Sequence, residues 1–263
     1  MSDLLATLLL GVIEGVTEFL PISSTGHLLI AERWLGVRSD LFNVAIQAGA
    51  ILAVVLIYRE RLWQLATGFA RGESRDYALK LLVAFLITAA LGFAATRLGF
   101  KLPETVAPVA WALIIGGVWM LLAESFAARL PESSTITWRV AILVGLAQVV
   151  AGVFPGTSRS AATIFIAMLA GTNHRAAATE FAFLVGIPTM FAASGYELIK
   201  SLRAHGTAGE DWSALALAFT VSLLTAFVAV KWLLGYIRSH RFTPFAIYRI
   251  ALGALLLLLP GAA

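Results

Sequence analysis

Six stretches of the chain are long and almost uninterruptedly apolar, and charged residues collect in the segments between them. A helix of about 17–25 apolar residues has the length that crosses a lipid bilayer. The pattern therefore predicts six transmembrane helices. They cover residues 42–58, 78–96, 107–124, 181–198, 213–232 and 245–259.

Two further apolar segments are interrupted in the middle. Residues 4–35 are broken at Pro21 and residues 140–169 at Pro155, and glycine or hydroxyl residues follow each proline. Irregular backbone at membrane depth is tolerated only where it is buried in protein or lines a cavity. Each segment is therefore predicted to be a re-entrant helix pair.

The two broken segments align with each other. A shift of 134 positions places Gly11 on Gly145 and Pro21 on Pro155, and it also pairs Ser24 with Ser158. Each broken segment precedes three predicted spans. Because three is an odd number, the second half must be inverted relative to the first, as in proteins whose polar sites lie at a repeat interface.

The composition supports a membrane protein. Of 263 residues, 60% are apolar and only 13% are charged, whereas a soluble domain carries about 25% charged residues. We therefore predict an all-α integral membrane protein with one domain over residues 1–263, made of repeat 1 at about 1–128 and repeat 2 at about 135–263. The absence of cysteine excludes disulfides and thiolate metal sites. The N-terminal segment lacks the features of a cleaved signal peptide, so we expect the first helix to be retained.

The formal net charge of +4 is interpreted as an orientation signal and not as a nucleic-acid surface. Lys and Arg are more frequent in the loops on one side of the predicted bundle, and such loops face the cytoplasm. The first broken segment is then expected to open to the outer face and the second to enter from the cytoplasm.

Glu14 and Glu18 are four residues apart and share one face of the predicted first helix. A charged side chain inside the bilayer costs several kcal/mol, and two like charges add repulsion. A cation, a shared proton or a bound ligand would offset this, and carboxylate oxygens suit Mg²⁺ or Ca²⁺. The structural alternative places both glutamates in the hydrated headgroup region.

The break after Pro21 carries Ser23, Ser24 and Thr25, which suit the N-cap of a new helix. Such a helix end presents free amides to an anion. Ser24 and His27 are three residues apart, so the imidazole could take the hydroxyl proton or attack as a nucleophile. Plain capping and a buried histidine are the structural alternatives.

The second break reads FPGTSRSAATI and contains Arg159. A guanidinium grips phosphate with two parallel hydrogen bonds. Ser158, Ser160, Thr163 and the helix-end amides complete a predicted phosphate site, although Arg159 could instead extend to the cytoplasmic surface. If the two breaks meet, they form a site for a diphosphate whose apolar remainder lies between helices.

The segments EGVTEFLPISSTGH and PGTSRSAAT resemble the two signature motifs of the bacterial undecaprenyl-diphosphate phosphatases, the bacitracin-resistance family, and FTPFAIYRI resembles the family's tail. The resemblance implies hydrolysis of undecaprenyl diphosphate to undecaprenyl phosphate and inorganic phosphate with a divalent cation. This reaction recycles the lipid carrier of peptidoglycan synthesis, in the bacterial inner membrane, at a site open to the periplasm. It implies metal-associated roles for Glu14 and Glu18, catalytic roles for Ser24 and His27, and phosphate binding by Arg159.

Our mechanistic hypothesis is that Ser24 attacks the phosphorus and that His27 or Glu18 activates it. Direct attack by water, with His27 as the base, is left open. The strongest rival is a flippase for a polyprenyl phosphate, because inverted repeats with broken helices are typical of transporters. Both activities could coexist, and the sequence also leaves a homodimer open.

Overall fold

The computed structural model describes residues 3–70, 72–98, 106–206 and 211–258, and all regular structure in these ranges is α-helical. The predicted all-α class is thereby confirmed. The helices are α1 (Asp3–Thr17), α2 (Ser24–Leu35), α3 (Asp40–Ile57), α4 (Arg59–Thr67), α5 (Gly72–Arg97), α6 (Val106–Ala127), α7 (Trp138–Val153), α8 (Arg159–Ala170), α9 (Arg175–His205), α10 (Trp212–Tyr236) and α11 (Thr243–Leu258).

Five helices in the described ranges, α3, α5, α6, α9 and α10, are long and apolar enough to cross a membrane. They match five of the six predicted spans and make the chain a multi-pass membrane protein. The sixth prediction, residues 245–259, falls on α11, whose described part has 16 residues, fewer than the roughly 20 that cross a bilayer untilted. Residue 259 lies outside the described residues.

One helix in the structure was not predicted, and another is longer than its predicted span. The polar sequence RERLWQLAT was expected to be a loop, yet it forms α4, because its Glu, Arg, Leu and Gln residues are strong helix formers. Helix α9 has 31 residues and extends beyond the predicted span at both ends. Pro188 lies inside α9 without ending it, although an internal proline removes one backbone hydrogen bond.

In each broken segment, the start of the segment contacts the residues that follow its end. Arg38, just before α3, forms an ion pair with Asp3 at the start of α1, with 2.7 Å between Nη1 and Oδ1. After α8, the Thr172 hydroxyl donates to the carbonyl of Thr135, just before α7, at 2.6 Å. Both contacts hold the entry and the exit of a broken segment together.

Glycines allow the broken segments to pack closely on other helices. A Cβ on Gly11 would lie 3.0 Å from the carbonyl oxygen of Ala218 in α10, and a Cβ on Gly145 would lie 2.7 Å from that of Ala84 in α5. Helix α1 therefore packs on α10 and α7 packs on α5. The main hydrophobic core combines Phe19 of the first break with side chains of α8 such as Phe165, which brings the two breaks into the centre of the molecule.

Candidate active site

The first break separates α1 from α2 and ends at a capping serine. Ser23 has a left-handed backbone with φ 75°, and its Oγ accepts a hydrogen bond from the Gly26 amide at 3.4 Å. Pro21 disfavours a continuing helix because its ring removes a donor and clashes with the preceding turn. The predicted hydroxyl cap is thus confirmed, and the next helix begins at Ser24.

The second break separates α7 from α8 in a similar way. Ser158 has φ 69°, and its Oγ accepts from the Ala161 amide at 3.3 Å. This break has one more residue between its proline and its cap than the first break has. The capping serines are therefore 135 positions apart, so the predicted pairing of Ser24 with Ser158 is wrong at this point, and Ser23 is the counterpart of Ser158.

Glu18 connects the two breaks. Its Oε2 accepts a hydrogen bond from the hydroxyl of Ser24 at the start of α2, and its Oε1 accepts from Nη2 of Arg159 at the start of α8. The Glu18 side chain is 5% exposed and that of Arg159 is 25% exposed. A carboxylate in this position can accept the hydroxyl proton of Ser24, while the partly exposed guanidinium presents further donors.

A second contact closes the same junction. The hydroxyl of Ser160 donates to the carbonyl of Leu20 at 2.9 Å and lies 3.1 Å from Oγ of Ser158. The same carbonyl also accepts from the Ile22 amide at 2.7 Å within the first break. Residues 20 and 160 are distant in sequence, so the bond from Ser160 fixes the start of α8 against the first break.

Glu14 lies one turn before Glu18 and is 1% exposed. Its Oε2 has no hydrogen-bond partner among the described residues. An orphaned buried carboxylate oxygen beside a second carboxylate suits a divalent cation. In the described part of the chain no group of three Asp, Glu, His or Cys side chains could hold a metal. Glu14 and Glu18 therefore fit a cation such as Mg²⁺, which typically takes one or two carboxylates, substrate phosphate oxygens and water.

His27 has two partners, and neither is Ser24. Its Nδ1 lies 2.7 Å from the carbonyl oxygen of Ser23, and its Nε2 lies 2.7 Å from the hydroxyl of Tyr248 in α11. The imidazole also stacks on the Tyr248 ring, with 5.6 Å between centroids and an interplanar angle of 8°. The sequence predicted that the His27 imidazole reaches the Ser24 hydroxyl. In the structure the imidazole instead bonds to the Ser23 backbone, and the hydroxyl of Ser24 bonds to Glu18.

A cavity of about 610 Å³ opens beside the two breaks. Its polar end includes Glu18, Ser24 and Arg159, and its walls come mainly from apolar residues of α5, α7 and α9. A polar end with apolar walls suits an amphiphile. The other predicted site residues that line the cavity are Ser23, Thr25 and Ser158.

Two residues predicted to bind phosphate lie away from the cavity lining. Thr163 is 1% exposed, and its hydroxyl donates to the carbonyl of Arg159 at 2.8 Å. Serine and threonine inside a helix commonly form this bond to the preceding turn. Ser160 likewise uses its proton on Leu20. Both side chains stabilise the start of α8.

Three polar side chains form a set in the cavity wall, and the sequence interpretation missed the two threonines among them. Gln148 donates through Nε2 to the hydroxyls of Thr88 at 3.1 Å and Thr189 at 3.3 Å. All three residues line the cavity, and Oε1 of Gln148 has no partner among the described residues. Polar side chains inside predicted spans were a usable signal, but threonines there commonly bond to their own helix.

Arg249 is the most deeply buried charge of the described residues, with 0% exposure. In the sequence it interrupts the apolar stretch that predicts the span at residues 245–259. Its guanidinium donates to the carbonyl oxygens of Pro21 at 3.4 Å, Gly156 at 2.9 Å and Ala112 at 3.2 Å. Its guanidinium therefore contacts the backbone of both breaks.

Comparison with known proteins identifies the family of the chain. A family model described as "Bacitracin resistance protein BacA" matches residues 7–255. A relative from Rhizobium etli (strain CFN 42), named "Undecaprenyl-diphosphatase", is 70% identical over 255 residues, covering 97% of this chain and 96% of the relative. A relative of the same name from Xanthomonas euvesicatoria pv. vesicatoria is 65% identical over 264 residues, covering 100% of both chains. The chain therefore belongs to the bacitracin resistance protein BacA family.

Proposed function

We propose that this protein hydrolyses undecaprenyl diphosphate to undecaprenyl phosphate and inorganic phosphate, and that the reaction takes place between the two breaks. The observation that carries the proposal is the junction at Glu18. One carboxylate accepts hydrogen bonds from a hydroxyl of the first break and a guanidinium of the second, at one end of a cavity whose walls are mainly apolar. Relatives named for this activity share 65–70% of the sequence. The activity recycles the lipid carrier of peptidoglycan synthesis and confers resistance to bacitracin.

In the proposed reaction Ser24 is the nucleophile. Its hydroxyl already donates to Glu18, so Glu18 is placed to accept the proton as the Oγ–phosphorus bond forms. The bond between the terminal phosphorus and the bridging oxygen breaks, and its electron pair leaves with undecaprenyl phosphate. Water then attacks the phosphorus of the phosphoserine, the bond between phosphorus and Oγ breaks, Glu18 returns the proton to Oγ, and the oxygen from water leaves with inorganic phosphate.

Arg159 stabilises the transferred phosphoryl group in this proposal. Phosphoryl transfer depends mainly on positioning and on neutralising the charge on the equatorial oxygens. The guanidinium has donors beyond the one that it gives to Glu18, and it lies at the N-terminus of α8, where backbone amides point toward an anion. Ser23, Thr25 and Ser158 line the same end of the cavity.

Glu14 and Glu18 would hold the divalent cation, Mg²⁺ or Ca²⁺. Such a cation, when bound, neutralises diphosphate oxygens and makes the lipid monophosphate a better leaving group. The unpartnered Oε2 of Glu14 supports this assignment. Two buried carboxylates one turn apart repel each other, and a bound cation removes that repulsion.

We also propose that the fold is an inverted repeat in which the two broken segments are re-entrant. Helix α1 packs on α10, and α7, its counterpart, packs on α5, the counterpart of α10. The aligned glycines 11 and 145 make both close approaches. The paired ends of each broken segment support a path that enters and leaves on one side. With the excess of Lys and Arg facing the cytoplasm, the site opens to the periplasmic face of the inner membrane.

Phosphate release from undecaprenyl diphosphate by the purified protein in detergent tests the activity. Detergent micelles have no second leaflet, so turnover there requires chemistry and not transport. We expect release by the wild type and by Ser125→Ala, an exposed serine of α6, and loss of release in Ser24→Ala. A folded wild type that releases no phosphate would overturn the proposal.

Labelled substrate and rapid denaturation test the nucleophile. We expect a phosphoryl-enzyme in the wild type that is absent from Ser24→Ala. A phosphoryl-enzyme that persists in Ser24→Ala and vanishes in His27→Ala would instead identify the imidazole as the attacking group.

A further inference from the structure

Helix α11 contributes two neighbouring residues, Tyr248 and Arg249, that hold the two breaks without lining the cavity. Arg249 is fully buried, and among the described residues it forms no ion pair. A buried cation without a carboxylate partner is expensive. Its presence therefore calls for a function that a neutral side chain does not provide.

The contacts of Arg249 indicate what that function is. Pro21 belongs to the first break and Gly156 to the second, and the guanidinium donates to the carbonyl oxygens of both. These carbonyls lie outside helices and need donors, because lipid offers none. Only arginine has five donors in a planar fork that can reach several carbonyls at once.

The surrounding backbone makes room for this side chain. A Cβ on Gly116 of α6 would overlap Nη2 of Arg249, so the glycine leaves room for the guanidinium in its present position. Gly117 allows α6 to approach the backbone of α11 closely, since a Cβ there would lie 2.7 Å from the carbonyl oxygen of Ala246. Helices α6 and α11 therefore pack closely against each other next to the two breaks.

Tyr248 acts on His27. A carbonyl can only accept, so Nδ1 of His27 carries the proton that it donates to Ser23. In the neutral imidazole Nε2 then accepts from the Tyr248 hydroxyl at 2.7 Å. The Tyr248 ring stacks on the imidazole and fixes its plane. One tautomer and one orientation of His27 result.

We infer that Tyr248 and Arg249 are positioning residues: Arg249 fixes the two breaks against each other, Tyr248 holds His27 in the Nδ1-protonated tautomer, and the full turnover rate depends on both. This inference rests on the proposed phosphatase activity and extends it to residues that do not contact the substrate. Arg249 acts through the backbone of Pro21 and Gly156, and Tyr248 acts through the imidazole.

The first test uses Tyr248→Phe, which keeps the stacked ring and removes the hydroxyl. We expect kcat for farnesyl diphosphate to fall roughly tenfold, as for one lost hydrogen bond, with KM within about twofold because the cavity is unchanged. Tyr236→Phe is the matched control, since Tyr236 lies on α10, where its ring stacks on Trp232 and on His240 and not on His27. The control should keep wild-type kcat and KM.

The second readout needs no turnover. The chain has four histidines, so protein labelled with ¹⁵N-histidine gives few imidazole signals, and His27→Asn assigns those of His27. In Tyr248→Phe we expect the Nε2 resonance of His27 to move, because it loses a donor, and in Tyr236→Phe we expect it to stay.

Arg249→Lys tests the part of the inference that concerns Arg249. Lysine keeps the charge but cannot bridge three carbonyls, so we expect a larger fall in kcat than in Tyr248→Phe, with little change in KM. A residue with only a structural role would lower Tm and leave the kcat of the folded fraction unchanged. If Arg249→Lys does not fold, Tyr248→Phe decides the inference.

Both readouts must change for the inference to stand. If the wild type turns over and Tyr248→Phe has wild-type kcat or a wild-type His27 spectrum, the inference is overturned. If the wild type itself releases no phosphate, the proposed function fails, and the spectrum alone then decides whether Tyr248 positions His27.

Discussion

The break after Pro21 and the break after Pro155 end in nearly the same helix cap and carry opposite chemistry. Each ends in a serine with left-handed φ, 75° at Ser23 and 69° at Ser158, whose Oγ accepts from the amide three residues later. The first break has carboxylates beside it, and the second has Arg159. The shared part is what ends one helix and starts another, and the differing part determines what binds.

This difference shows why neither half can act alone. A carboxylate pair repels a diphosphate, and an arginine between two apolar helices has no base beside it. Only Glu18, in contact with Ser24 and Arg159 together, combines a proton acceptor with an anion site. The predictions below test whether the two breaks differ in the charged groups that they bring to the site and share the design of their helix caps.

The largest effect is expected for Arg159→Ala. Removing a guanidinium from a phosphoryl-transfer site lowers kcat by about a thousandfold or more. Phosphate release in detergent measures it, and Arg241→Ala, an exposed arginine, is the control. Arg159→Lys should recover only part of the loss, because a lysine gives charge without the fork. Wild-type turnover in Arg159→Ala would show that the second break contributes structure and no chemistry.

The carboxylates of the first break should make turnover dependent on a divalent cation. We expect a chelator to abolish phosphate release and added Mg²⁺ or Ca²⁺ to restore it. Glu14→Gln should raise the cation concentration needed for half-maximal release by about tenfold or more, as when a metal site loses a supporting group. Glu132→Gln, an exposed carboxylate, should leave that concentration unchanged. Full activity in excess chelator would refute the cation assignment.

The sequence predicted the positions of the two breaks better than their register. Proline, serine and carboxylate patterns are local, so the positions of both breaks and of their caps could be deduced from hydropathy and capping rules. The extra residue between Pro155 and Ser158 could not, because an alignment of prolines assumes equal turn lengths. The partner of His27 also lies 221 positions away, at Tyr248, and no local pattern indicates such a contact.

The span prediction shows the same limit. Five spans were found because continuous hydropathy is a strong signal. Helix α4 was missed because a polar helix beside the bundle has no apolar run to mark it. Arg249 was noticed within an apolar stretch, but its meaning depends on carbonyls of two breaks that only the fold brings to it.

Replacing the glycine of the second break, Gly156, should lower the stability of the protein more than replacing Gly171, another glycine with positive φ. Gly156 has φ 94°, and a Cβ there would lie 2.8 Å from the carbonyl oxygen of Val109. Gly156→Ala therefore combines backbone strain of about 1–3 kcal/mol with a clash against α6. Gly171 also has positive φ, but a Cβ there meets no atom within 4 Å, so Gly171→Ala carries the strain alone. Thermal unfolding in detergent should give the lower Tm for Gly156→Ala, and equal values would contradict the close packing of this turn.

The smallest effect tests whether the two caps are equivalent. Ser23→Ala and Ser158→Ala each lose the bond to the amide three residues later, which costs about 1 kcal/mol, and they keep a side chain at positive φ. Ser23→Gly and Ser158→Gly lose the same bond but relieve the left-handed backbone, so each glycine variant should be more stable than its alanine counterpart. Because both caps share φ and hydrogen-bond geometry, the Ala-to-Gly difference in unfolding free energy should be similar at the two sites. A large difference at one site only would mean that the breaks differ in backbone design as well as in charge.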